Sequence, residues 1–348
     1  MEWYAEQISS QKPFLDPQEG LSAFRGTMDT TFAALPPGFR DLAFDDAASR
    51  RTMDTLLAGM FAARGFREVL PSGIEFLDVY TRGNQSISER AFKFLDREDR
   101  LLALRADFTP AVARMVATRF GSEAGVLRIW YSGNVFRRVE GRNGGYAESW
   151  QVGAELIGQE SIEHDCETIV LALESLSALG MESAGVHINH AGVFRGILNA
   201  LDLPDGARDR LKSEIDHKDA RALANHMEEL GVPATIGEQV HVLARCIGGV
   251  EVLHEAAGVL RHEESQNAIA HLQSVADRLG SWRDRVTFDL TEIDELEYYT
   301  GIMFTLFSPA RRSPLGMGGR YDSLLRAFGS DRPAVGFSLF MDSILEGR

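Results

Sequence analysis

Cysteine is scarce in this chain of 348 residues, and neither Cys166 nor Cys246 has a second cysteine at metal-ligand spacing beside it. A disulfide framework and a cysteine-based zinc site are therefore not expected, and both thiols read as reduced and structural. Long apolar runs are also missing. No stretch could span a bilayer, and Met1-Glu2-Trp3-Tyr4-Ala5-Glu6 lacks the basic region and apolar block of a secretory signal. The expected compartment is the cytoplasm, with no membrane partner. Positive charge is in deficit as well: 36 Lys and Arg stand against 51 Asp and Glu, a net charge of -15. Nucleic-acid affinity depends on clustered Lys and Arg, so a tRNA or DNA partner is not expected.

With 44% apolar and 25% charged residues, the composition is that of a globular protein, and the length suits two or three structural units. Residues 1–34 show no sustained periodicity and read as an extension. Met53, Leu57, Met60 and Phe61, with Leu56, recur at helical spacing, with Asp45 or Asp46 as a cap and Gly65 as a stop. A short strand is expected from Phe66 to Leu70. A hairpin follows: one strand from Val126 to Phe136, a loop with Gly141, Asn143, Gly144 and Gly145, and a second strand from Ala147 to Leu156.

Alternation in that second strand puts Trp150, Val152, Ala154 and Leu156 on one face and Ser149, Gln151, Gly153 and Glu155 on the other. The polar face, with a bare glycine between Gln151 and Glu155, suits either the floor of a small-ligand pocket or a plain outer surface. Residues 190–280 carry Leu201, Leu211, Ile215, Leu223, Leu230, Val240, Leu243, Leu253 and Leu260 in helical patterns, broken near Pro204-Asp205-Gly206 and Gly231-Val232-Pro233. This segment is expected to be a helical insertion between core segments 35–185 and 285–348. Strands are expected again at Val286 to Leu290 and at Tyr298 to Phe307.

Four segments occur in an order that resembles histidyl-tRNA synthetase and its paralogues, over about residue 35 to the end. Pro36-Pro37-Gly38-Phe39-Arg40-Asp41 precedes the long helix and the strand. Leu104-Arg105-Ala106-Asp107-Phe108-Thr109-Pro110 matches the segment that holds the α-amino group of bound histidine, although Asp107 or Thr109 would serve equally well as a helix cap. The hairpin supplies Arg137, Gln151 and Glu155, and Leu296 to Gly301 supplies Tyr298 and Tyr299. Gly318-Gly319-Arg320-Tyr321-Asp322 and Pro333-Ala334-Val335-Gly336-Phe337 complete the series.

The resemblance implies an α+β, class II aminoacyl-tRNA synthetase-like core: an antiparallel sheet flanked by helices. It assigns Asp107, Thr109 and Gln151 to the amino group of histidine, Glu155 to its imidazole, and Tyr298 and Tyr299 to the enclosing walls. Arg137 matches the arginine that clamps the ATP α-phosphate, and here is a possible anion contact. A carboxylate and a hydroxyl suit an ammonium, and a carboxylate facing an imidazole N–H rejects isosteres that lack that donor.

Departures from the active pattern are selective. Where active members carry Arg-Gly before the tyrosine motif, this sequence has Asp294-Glu295, within an acidic run of Glu292, Asp294, Glu295 and Glu297. Where the third motif needs an acid followed by arginine, it has Asp342-Ser343. Losing one electrostatic stabiliser typically costs on the order of 10²–10³ in rate. The sequence also stops where an anticodon-binding domain would begin. The resemblance therefore narrows to the non-catalytic branch, the regulatory subunits of ATP phosphoribosyltransferase. It implies no catalytic residue, metal or cofactor of its own, a short-form catalytic subunit as partner, self-association into a dimer within a larger hetero-oligomer, and L-histidine as effector. A stand-alone amino-acid-activating paralogue and a non-binding scaffold are the alternatives.

Overall fold

A computed structural model describes residues 34–121, 123–138, 146–199, 201, 205–216, 220–292 and 298–346. The extension, the hairpin loop at 141–145 and the acidic positions Asp294, Glu295 and Glu297 lie outside the described residues.

The first helix, α1 (Phe44–Ala63), is built from good helix formers and buries Met53, Leu57 and Phe61. Leu56, one position off that stripe, is exposed. The expected caps are not used: Ala43 precedes the helix, and Asp45 and Asp46 lie in its first turn, where they favour the positive end of the helix dipole. Gly65 does end the helix, with φ +78 and its N–H on the Ala62 carbonyl at 3.0 Å. The strand expected from Phe66 to Leu70 shrinks to β1 (Arg67–Glu68); Val69 still donates its N–H to the Trp130 carbonyl at 2.9 Å, and Leu70 is exposed.

A nine-stranded sheet forms the centre, in the order β1-β5-β6-β12-β11-β10-β7-β9-β8. Its further members are β5 (Leu127–Phe136), β6 (Glu148–Ile157), β7 (Gly185–His190), β8 (Ile247–Gly248), β9 (Val286–Asp289), β10 (Ile302–Phe307), β11 (Gly316–Arg320) and β12 (Ala334–Phe340). The sheet is predominantly antiparallel, but β1 runs parallel to β5 and β7 parallel to β9, so it is mixed at both sides. The expected hairpin is β5 and β6, paired from Leu127↔Ile157 to Phe136↔Glu148.

Each face of the sheet carries its own apolar core. Trp150, Val152, Ala154 and Leu156 of β6 pack with α1 and with α5 (Ile162–Ala178) in the larger cluster. Tyr131, Tyr298, Tyr299 and Tyr321 belong to the other cluster, with Phe108, Val112 and Val116 of α4 (Phe108–Arg119). The alternation read from sequence is realised, but neither face of β6 is an outer surface: Gln151 and Glu155 are 3% and 1% exposed.

Between residues 190 and 280 lie α6 (Gly192–Asn199), α7 (Asp205–Asp216), α8 (Ala220–Glu229), α9 (Ala234–Leu243), α10 (Val250–Val259) and α11 (Glu263–Arg278). The segment is not wholly helical, since β8 inside it pairs with β9 at the sheet edge. Helix α11 packs on α6 and α5, and Leu253, Leu260, Ile269 and Leu272 join the larger core rather than forming one of their own.

A second, three-stranded sheet has the order β2-β4-β3, formed by β2 (Ile74–Phe76), β3 (Lys93–Leu95) and β4 (Leu101–Leu104). One face buries Ala103 and Glu75, the latter ion-paired with Arg114 of α4 at 2.5 Å. The other presents Ile74, Phe76 and Phe94, all exposed. Among the described residues no helix is long and apolar enough to cross a membrane.

Candidate functional site

A cavity of about 390 Å³ opens on the tyrosine-bearing face of the large sheet, within the range of small-ligand sites. Its walls include all seven residues singled out from sequence: Asp107, Thr109, Arg137, Gln151, Glu155, Tyr298 and Tyr299.

Glu155 is the buried centre of the site. The Tyr321 hydroxyl donates to its Oε2 at 2.6 Å, the Tyr131 hydroxyl to Oε1 at 3.2 Å, and the Thr109 hydroxyl to Oε1 at 3.4 Å. Burial pushes the Glu155 carboxyl up to about 8, against the pull of its tyrosine donors. Near neutral pH burial therefore favours the protonated form of this carboxyl. Such a group donates to an unprotonated imidazole nitrogen, or as a carboxylate accepts from an imidazole N–H. Burial likewise drives the hydroxyls of Tyr131 and Tyr321 well above the ordinary tyrosine range, so both remain donors.

Asp107 joins the two readings of its segment. Its Oδ1 caps α4 by accepting the Thr109 N–H at 2.8 Å, while Oδ2 takes Arg137 Nη2 at 2.7 Å. The Arg137 Nε also donates to the Ala106 carbonyl at 2.6 Å, so this arginine is held by the protein on two sides. Tyr298 and Tyr299 precede β10 rather than lying in it, which removes the in-out alternation of a strand; both rings are buried and meet edge to face at 5.0 Å. Thr305 donates to Glu292, which adds a third acid to the wall.

Gln151 and Glu155 of the polar face of β6 line the cavity, while Gly153 between them makes room for a protein side chain. A side chain there would strike the Tyr131 hydroxyl, because Tyr131 is its cross-strand partner. The glycine admits the tyrosine, and the tyrosine reaches Glu155. Its ring is held by stacking on Phe108, centroids 4.3 Å apart and nearly parallel. Tyr131 and Arg90 carry no motif of their own in the sequence. Tyr321 lay inside a recognised segment, yet only the strand order places its hydroxyl at Glu155.

Outside the cavity, Asp342 of the third motif turns away from it. It is paired with Arg40 of the first motif and accepts the Trp150 N–H at 2.6 Å. Ser343 stands where a cation would follow, and its carbonyl accepts from Arg311 at 3.0 Å.

A family description, histidyl-tRNA synthetase, matches residues 38–344. The chain belongs to the histidyl-tRNA synthetase family. Within that family, an ATP phosphoribosyltransferase regulatory subunit of Geobacter metallireducens is 37% identical over 90% of this chain and 73% of its own length. Another of that name, from Syntrophotalea carbinolica, is 35% identical over 90% of this chain and 74% of its own. The crystal structure of an ATP phosphoribosyltransferase regulatory subunit/histidyl-tRNA synthetase from Bacillus halodurans superposes with a TM-score of 0.83 at 27% identity, over 96% of this chain and 84% of that one. The histidyl-tRNA synthetase-like, class II fold is thereby established for this member.

Proposed function

We propose that this chain is a regulatory subunit of ATP phosphoribosyltransferase in L-histidine biosynthesis, without aminoacylation chemistry of its own. It acts in the cytoplasm, binds a short-form catalytic subunit that needs it for activity, and takes L-histidine into the cavity as feedback effector. The observation that carries the reading is the cavity itself. Acids suited to an ammonium and an imidazole converge there with two tyrosine rings, while the third-motif acid is tied to Arg40 and followed by a serine. Feedback requires that histidine bind the alternative states of the assembly with different affinity, since equal binding shifts no equilibrium.

The open face of the small sheet supports pairing of two copies. Ile74, Phe76 and Phe94 form an apolar patch of the kind that marks an interface.

The test is to mix the purified chain with a short-form catalytic subunit and assay phosphoribosyl transfer, with and without L-histidine. Activity that depends on this chain and falls with histidine is expected. A catalytic subunit equally active alone would overturn the proposal, as would amino-acid-dependent pyrophosphate exchange by this chain alone.

A further inference from the structure

The cavity takes its negative charge from Asp107 and Glu292, with Glu155 as a further buried acid, and an amino acid brings a carboxylate as well as an ammonium. Among the described residues two guanidinium groups reach the cavity wall, Arg90 and Arg137. They are not equivalent. Arg137 is engaged by the Asp107 carboxylate at 2.7 Å and by the Ala106 carbonyl at 2.6 Å.

Arg90 ends α3 (Gln85–Arg90), which follows α2 (Leu77–Gly83). Its Nε is enclosed and has no hydrogen-bond partner, a costly state for a charged donor. Its backbone is nevertheless firmly placed. The Arg90 carbonyl accepts the Arg138 N–H at 2.7 Å, and Ala91 bridges to Arg137. A guanidinium fixed at its root, on the cavity wall and held by no protein hydrogen bond at its enclosed Nε, keeps its terminal N–H groups for an anion from outside. Its planar fork matches a carboxylate.

We propose that Arg90 binds the α-carboxylate of the amino-acid ligand and so sets the preference of the pocket for an intact amino acid over its decarboxylated amine. This rests on the cavity being an amino-acid pocket. It gives the ligand carboxylate a cation in a chain whose sequence carries Asp294 where active relatives carry arginine. In the occupied state the ammonium lies toward Asp107 and the carboxylate toward Arg90, while the imidazole meets Glu155.

The test compares L-histidine with histamine, which keeps the imidazole and the ammonium but lacks the carboxylate, by titration calorimetry on the full chain. The wild type should prefer histidine by about 10- to 100-fold, the worth of a charge-assisted contact. Arg90→Gln should lose that preference by weakening histidine alone, with histamine affinity unchanged, and Arg90→Lys should recover part of it. Histidine bound by Arg90→Gln as tightly as by wild type would overturn the proposal. So would equal weakening of both ligands, which signifies a structural role. If the wild type binds neither ligand, the amino-acid pocket itself fails and this assignment fails with it. If the wild type binds both equally, the pocket stands and only the role of Arg90 is lost.

Discussion

The hydroxyl of Tyr321 and the carboxylate of Glu155 meet at 2.6 Å across an intervening strand, and they do so over Gly336. That glycine pairs with Glu155 in the sheet, and a side chain built on it would occupy the position of Glu155 Oε2. Gly336→Ala should therefore displace the carboxylate. We expect a loss of about 1–3 kcal/mol of stability in urea denaturation and the disappearance of histidine binding in calorimetry. Wild-type binding by this variant would mean that Glu155 is not part of the ligand contact.

The two tyrosines on Glu155 should differ in weight. Removing the shorter bond with Tyr321→Phe should cost about 1–3 kcal/mol, and Tyr131→Phe, whose bond is 3.2 Å, should cost less. Chemical denaturation of both variants checks the order. The reverse order would show that Tyr131 is the main support.

Stability should depend on pH through Glu155. The folded protein keeps this proton up to about pH 8, whereas the ordinary carboxyl releases it at 4.5. Between those values the folded state binds more protons than the unfolded chain, so this group's contribution falls as pH rises through that window and is lowest above pH 8. Glu155→Gln, which carries no charge at any pH, should gain melting temperature relative to wild type as pH rises from 5 toward 8. A difference independent of pH would place the titration elsewhere.

Arg320 and Asp165 form a buried pair at 2.6 Å, with side chains 4% and 0% exposed. Asp165 also meets His271 Nε2 at 2.8 Å, and Arg320 meets Asp322 at 3.0 Å. Arg320→Met leaves the buried carboxylate without its main counter-charge and should cost about 3–5 kcal/mol. Replacing both partners by apolar residues should recover much of that. The measurement is a double-mutant cycle in denaturant, and additivity would contradict a direct coupling.

On the open face of the small sheet, Phe76→Glu puts a charge among Ile74 and Phe94. Sedimentation velocity should report dimers for the unaltered protein and a single-chain species for the variant. An unchanged oligomer would move the self-contact to another surface.

The large elements were legible because periodicity records burial. The α1 stripe at Met53, Leu57 and Phe61 and the two-faced pattern of β6 carry over directly into the fold. Boundaries were less so: β1 holds two residues in register with β5, with Val69 adding one further N–H bond to Trp130, and the tyrosine pair lies outside β10 because the strand starts at Ile302. The seven candidate residues meet in one cavity, since each lay in a segment whose order resembled a known arrangement. Tyr131 was not legible in the same way. Its role depends on being opposite Gly153 across the hairpin, and a tyrosine in a β-rich run is otherwise a core residue. Arg90 was invisible for a similar reason: what marks it is a missing partner, and a sequence does not record contacts that are not made.

Arg320 and Tyr321 are consecutive in the chain, yet one is fastened to Asp165 on helix α5 and the other to Glu155 in the cavity. Because His271 of α11 holds the same Asp165, a single dipeptide rivets the helical layer behind the sheet to the cavity in front of it. The two sides are therefore expected to open together. Backbone amides of α11 and of the β6 floor should exchange with solvent at a common rate, and filling the cavity should slow both together.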